Sequence, residues 1–338
     1  MSETILQVKD LQITFQVFEG LAKVIDGVSF ELKKEEVIAL VGETGCGKSL
    51  TAKSILGVLP PEAKISGGVI NYRNQNLLKL DEKGWRRLRG KEIAMVPQNP
   101  MISLDPLLTV GDQLIDLINL QDQPDISLFS YYVRRSEITK ERDTWAKATR
   151  MLEDVALKPA DRVMNSYPFQ ISGGMAQRVC IAMALSGNPS LLIADEPGTS
   201  LDVTSQKVIL DLLNEKIRER GLSVIFITHN LGVARQIANR ILIMYAGCIA
   251  EAWEADKIFR EPLHPYSIGL KKAIPTLLLT KMIGIPGRVP SYIDPPVGCR
   301  FNTRCPYAME ICRKVKPELV MVGDGHEVAC YLYKGQRG

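Results

Sequence analysis

Apolar positions in the first 41 residues fall into short runs: ILQVKDLQITFQVF over 5–18, AKVIDGVSFEL over 22–32 and VIALV over 37–41. Val28-Ser29-Phe30-Glu31-Leu32 alternates strictly, as a strand does when one face is in the core and the other in water. A partly exposed antiparallel sheet is predicted here, beside a buried strand over 36–41. From 81 to 185 the spacing turns helical, interrupted by Met95-Val96-Pro97-Gln98. SLLIAD over 190–195 and SVIFIT over 223–228 are continuous apolar runs and read as buried strands. Between them, 206–220 is predicted as an amphipathic helix with Val208, Ile209, Leu212, Leu213 and Ile217 on one face. The segment 240–253 reads as a hairpin. Buried strands separated by helices imply an α/β fold with a mostly parallel sheet covered on both faces.

Two stretches depart from this pattern. Segment 119–144 is polar and charged and is predicted as a surface excursion between helices. From Phe259 onward, prolines recur at 262, 265, 275, 286, 290, 295, 296, 306 and 317, and four cysteines gather. A separate, loop-rich C-terminal extension over 259–338 is predicted. No internal repeat is present.

Composition adds little and excludes some classes. The chain has 338 residues, enough for two domains or one domain with an appendage. No apolar run approaches the ~18 residues of a membrane span. The N-terminus lacks the basic and apolar regions of a secretory signal, so a cytoplasmic location is expected. A net charge of +4 argues for neither nucleic acid nor lipid as a partner. Seven cysteines in a reducing compartment are expected to be thiols or metal ligands.

The chemistry begins at Gly42-Glu43-Thr44-Gly45-Cys46-Gly47-Lys48-Ser49, which fits the P-loop pattern G-x-x-x-x-G-K-[ST] between a strand and a helix. The glycines Gly42, Gly45 and Gly47 let backbone N–H groups close around phosphate oxygens, and the helix start adds partial positive charge. Lys48 is positioned to reach the β- and γ-phosphates, and Ser49 to hold Mg²⁺. A P-loop alone does not choose among kinases, GTPases and ATPases. Five further motifs do, in order: Gln98 after AMVP; Ser172-Gly173-Gly174-Met175-Ala176-Gln177; Leu191-Leu192-Ile193-Ala194-Asp195-Glu196-Pro197; Ser200-Leu201-Asp202; and His229 after SVIFIT. Each is a common turn or helix start when alone. Together they resemble the Q-loop, signature, Walker B, D-loop and switch histidine of ABC-type ATPases across residues 5–255.

That resemblance implies a P-loop NTPase with a RecA-like core, an antiparallel β subdomain and a helical subdomain near 99–185, within a nucleotide-binding domain over 1–258. It implies that Asp195 holds Mg²⁺ or its water, that Gln98 touches Mg²⁺, and that Glu196 polarises the attacking water as general base. His229 is implied to bond the γ-phosphate and orient Glu196. Ser172, Gly173, Gly174, Gln177 and Asp202 are implied to meet nucleotide bound to a facing subunit. Phe15 best matches the adenine-stacking position; Phe18 lies close, and either fits a core role.

Outside the catalytic motifs the resemblance narrows. Residues 96–106 and 195–204, His264-Pro265-Tyr266-Ser267 with Leu270, Ala273, Ile274 and Pro275, Ile285-Pro286-Gly287, and 298–306 are similar to the peptide/nickel importer ATPases. Departures at Met175, Gly198, Ser200 and 120–138 remove no catalytic group. The resemblance implies import of di- or oligopeptides, with nickel or another small solute as the alternative cargo. It also implies a second ABC ATPase subunit, two membrane permease subunits, indirectly a peptide-binding protein, and a peripheral place on the cytoplasmic membrane face. A soluble ABC ATPase acting on nucleic acid is disfavoured by the lack of tandem domains, coiled coils or basic linkers. A redox sensor centred on the cysteines is a third reading.

Cys299, Cys305, Cys312 and Cys330 sit in a proline-rich segment too poor in apolar residues to hold itself together, a setting where metal serves as a staple. The C-x₂₋₄-C pairs usual for zinc are missing. The resemblance implies a [4Fe–4S] cluster on these four, with Zn²⁺ or free thiols as alternatives. His264 is expected to shape a turn and His326 to lie on the surface. Cys46, Cys180 and Cys248 are expected to pack as small apolar residues.

Overall fold

The computed structural model describes residues 3–123, 125–127, 129–131, 133, 142–274 and 284–333. Residues 124, 128, 132 and 134–141 of the polar stretch, and Pro275, therefore lie outside the described residues. The chain divides into two compact units, 1–79 with 225–338, and 80–224.

The first unit holds the predicted antiparallel sheet, in the order β2-β1-β4-β5: β1 (Thr4–Val17), β2 (Gly20–Lys33), β4 (Ala63–Tyr72) and β5 (Gln75–Asn76). The alternation at 28–32 behaves as read: Val28, Phe30 and Leu32 are buried while Ser29, Glu31 and Lys33 are exposed. Beside it runs a mixed sheet in which β3 (Val37–Val41), β8 (Ser223–Thr228), β9 (Arg240–Tyr245) and β10 (Cys248–Glu254) carry the core. β3 and β9 are parallel, Ile38 opposite Arg240, and β9 and β10 form the predicted hairpin.

The C-terminal extension is loop-rich, but it is not a separate body. β11 (Val320–Met321) and β12 (Glu327–Val328) extend the hairpin sheet, with Val328 opposite Glu251. Tyr266 and Phe301 are buried among Val41, Ile243, Tyr245 and Ile258. Short of apolar residues of its own, the extension uses the core of the P-loop unit.

His326 departs from expectation. It is buried, stacked on Trp253 with ring centroids 3.8 Å apart, and Nε2 lies 2.7 Å from Glu251 Oε1. His264 shapes a turn as read: it caps the Pro265–Lys272 helix, and its Nδ1 accepts the Tyr266 N–H.

The second unit is mainly helical. It also contains the parallel pair β6 (Ile93–Val96) and β7 (Leu191–Asp195). The amphipathic helix runs Val203–Arg220, with Ile209, Leu212, Leu213 and Ile217 buried; Val208, assigned to that face, is 41% exposed. The polar stretch is not all excursion: Tyr131 is fully buried and donates to Asp116 Oδ1 at 2.8 Å.

Candidate active site

In the first unit, the wholly buried β3 delivers the chain to Gly42, and the Lys48–Leu56 helix carries it away. Only glycine fits at position 42, where a Cβ would lie 2.2 Å from the Met244 carbonyl oxygen and 2.8 Å from Cys46 Sγ. Gly47 caps the helix at φ +106°, in the left-handed region that glycine tolerates. Thr44 and Gly45 stay exposed at the apex. Lys48 is 4% exposed, and its ammonium donates to the carbonyls of Gly42 at 2.8 Å and Glu43 at 3.0 Å. The cation is thus held inside the loop by two of the loop's own carbonyls. Ser49 follows, half-buried.

Phe15 is half-buried on β1, opposite Ala22 and Ala63. Phe18, in the turn to β2, is fully exposed, which removes the core reading for that residue. His229 is exposed just after β8, and Asn230 caps the next helix, its Oδ1 accepting from Gly232 and Val233.

In the second unit, strand register assembles the acid and the amide. β6 and β7 run parallel with Val96 opposite Ala194. Gln98, two residues past one strand, therefore meets Glu196, one residue past the other, and its Nε2 donates to Glu196 Oε2 at 3.2 Å. Asp195 ends β7 and is 4% exposed. Glu196 has φ +45°, a left-handed conformation unusual for a side chain of this size. Such strain, of order 1–3 kcal/mol, collects at functional sites.

Ser172 caps the Gly173–Leu185 helix, its Oγ accepting the Met175 N–H at 3.3 Å. Gly173 and Gly174 lie half-buried in the first turn. Gln177 is fully buried and donates to the Pro97 carbonyl at 3.4 Å, so it braces the residue before Gln98 instead of facing solvent. Asp202 caps the Val203–Arg220 helix; hydrogen bonds from Ser205 hold its carboxyl below the usual carboxylate range.

Cys299, Cys305, Cys312 and Cys330 line one small cavity of about 10 Å³ with Phe301 and Asn302. Asn302 Nδ2 donates to the carbonyls of Cys299 and Cys312, drawing the two segments together. Burial pushes the Cys299 thiol up to about 12 and those of Cys305 and Cys330 upward. Among the described residues, no three cysteine, histidine or acidic side chains converge on a point that would hold one metal ion. The donor set is all thiol, as a cluster requires, but the cavity is too small for one as it stands.

The ABC transporter family model matches residues 25–199, and the model of the oligopeptide/dipeptide transporter C-terminal region matches 250–312. The chain belongs to the ABC transporter family, in its oligopeptide/dipeptide branch. A dipeptide transport ATP-binding protein, DppD of Bacillus subtilis, is 42% identical, covering 98% of this chain and 95% of its own. The oligopeptide transport ATP-binding protein OppD of the same organism is 41% identical over 97% and 88%. Among solved structures, the dimeric ATP-binding cassette MJ0796, in a post-hydrolysis state bound to ADP and Pi, aligns with a TM-score of 0.62 and 26% identity. It covers 74% of this chain and 99% of that one.

In this ABC protein, three residues at the P-loop have no counterpart in the motif reading. Tyr266, Tyr292 and Arg304, all from the C-terminal region, bond Glu43 or Gly45. No spacing in the sequence announces them. The resemblance at 264–267 and 298–306 covers Tyr266 and Arg304 but not Tyr292.

Proposed function

We propose that this chain is the ATP-binding and ATP-hydrolysing subunit that energises import of di- and oligopeptides through an ABC transporter. The observation that carries the reading is the Gln98–Glu196 pair at the ends of β6 and β7, in a chain whose P-loop lysine is already gathered into its loop.

In this reading, backbone N–H groups of the loop bounded by Gly42, Gly45 and Gly47, with Lys48, bind the phosphates. Ser49 and Gln98 would hold Mg²⁺, with Asp195 to hold the ion or its water, and the ion would supply charge neutralisation at the phosphates. An aromatic at the β1–β2 end stacks on adenine; the exposure of Phe18 makes it as good a candidate as Phe15. Glu196 accepts a proton from water as the water oxygen bonds to the γ-phosphorus. The bond from that phosphorus to the β–γ bridging oxygen breaks, and ADP leaves with the electron pair. His229 bonds the γ-phosphate. Ser172, Gly173, Gly174 and Asp202 serve the nucleotide of a facing ATPase subunit, with Gln177 bracing the Gln98 loop.

The working assembly then contains a second ABC ATPase, two permease subunits and a peptide-binding protein, with this chain peripheral on the cytoplasmic face. Among the described residues no helix is long and apolar enough to cross the membrane.

The four cysteines are proposed as ligands of a [4Fe–4S] cluster, for which their loop has to part. Held by these four thiolates, a cluster would staple the extension. Anaerobically purified protein should be brown and carry about four irons per chain; colourless protein with stoichiometric zinc would refute the assignment.

The function is tested in cells by replacing the native copy with Glu196→Gln and following labelled di- and oligopeptide uptake. Peptide uptake should fall to background while nickel uptake persists. Undiminished peptide uptake, or loss of nickel uptake alone, would refute the reading.

A further inference from the structure

Arg304 stands immediately before Cys305, yet its side chain ends on the P-loop. Its guanidinium meets the Glu43 carboxylate as a fork, Nη1 to Oε2 at 2.9 Å and Nη2 to Oε1 at 3.1 Å. The remaining donors are also engaged: Nε bonds the Pro286 carbonyl at 2.9 Å, Nη2 the Ile285 carbonyl at 3.0 Å, and Nη1 the Tyr245 hydroxyl at 3.3 Å. A guanidinium has five N–H groups in a fixed plane, and all five have partners here. The side chain is 5% exposed and lies against the rings of Tyr245 and Phe301, so the fork cannot swing away. Two tyrosines complete the hold. The Glu43 N–H donates to the buried Tyr266 hydroxyl at 2.9 Å, and the Tyr292 hydroxyl donates to the Gly45 carbonyl at 2.8 Å.

Glu43 occupies a free position of the P-loop pattern, yet its charge matters. A carboxylate on a loop that receives polyphosphate repels the ligand unless it is neutralised. Lys48 bonds the Glu43 backbone carbonyl, so its ammonium is directed elsewhere. Arg304 is the cation that meets the carboxylate, in the paired geometry that makes arginine–carboxylate contacts strong.

We infer that Arg304 is a positioning residue for nucleotide binding: from the cysteine-bearing segment it neutralises Glu43 and fixes the P-loop, so that this segment sets the affinity for nucleotide. The inference rests on the ATP-binding reading above. It assigns the extension a task at the nucleotide, beyond stability.

The test is a double-mutant comparison on the full purified chain. Dissociation constants are measured for a fluorescent N-methylanthraniloyl ADP, alongside thermal midpoints. Arg304→Gln should weaken binding by ~10-fold or more, because an unpaired carboxylate then faces the phosphates. Glu43→Gln/Arg304→Gln removes both charges and should recover most of that loss, whatever happens to the thermal midpoint. A purely structural arginine would show no such recovery, since the double variant lacks the ion pair altogether. Unchanged affinity in Arg304→Gln, or a double variant no better than the single, would overturn the inference. If Arg304→Gln does not fold, Arg304→Lys, which keeps the charge without the fork, takes its place in the same comparison with a smaller expected loss. A wild-type chain that binds no nucleotide would instead overturn the ATP-binding reading itself.

Discussion

Gln98 Nε2 donates to Glu196 Oε2 across 3.2 Å, joining the ends of two parallel strands whose register brings them level. The amide both orients the carboxylate and leaves its own oxygen for another partner. Gln98→Ala should therefore lower the rate of hydrolysis by ~10²-fold, the scale of a misplaced catalytic group, with a smaller change in ATP affinity. Steady-state kcat and KM check this; a rise in KM with kcat intact would assign Gln98 to binding alone.

Glu251 is fully buried and accepts three hydrogen bonds, from the N–H groups of Leu263 at 2.7 Å and His264 at 2.9 Å and from His326 Nε2 at 2.7 Å. It ties β10 to the extension at both ends. Glu251→Ala strands these donors in a dry site and should destabilise the protein by about 3–5 kcal/mol. Chemical denaturation measures it, and a loss below ~1 kcal/mol would contradict the role.

Acid should loosen the helical unit through Asp154. Burial alone would raise this carboxyl, but the Lys216 ammonium at 2.9 Å and the Arg220 guanidinium at 2.6 Å hold it below the usual carboxylate range. A folded-state value below the unfolded one gives stability that is present above the unfolded pKa and lost as pH falls through the folded one. The wild type should therefore lose stability below about pH 4, and Asp154→Asn should lose less over the same range from a lower starting point. Superimposable acid profiles would rule this contribution out.

Much of the candidate site is legible because it is local. A buried strand, three glycines and Lys48 sit within a dozen residues, and the alternation at 28–32 reports its own burial. Gln98 and Glu196 are recognised from their motifs, although only the strand register shows that they touch. The contacts of the extension are different in kind. Glu43 and Arg304 are 261 residues apart, and Gly45 and Tyr292 are 247 apart. No period in the sequence encodes such pairings. β11 and β12, two residues each, are too short to show alternation. His326, expected on the surface, is buried because Trp253 and Glu251 are brought to it by another strand. Val208 sits at the edge of an apolar stripe that tertiary packing narrows.

The central claim, that this chain hydrolyses ATP with Glu196 as general base, is tested most directly by Glu196→Gln. Bound nucleotide and phosphate release are measured on the same purified transporter. ATP binding should persist while the rate falls by ~10²–10⁴-fold. Turnover above about a tenth of the wild-type rate would remove Glu196 from the base role, since a general base contributes at least ~10²-fold.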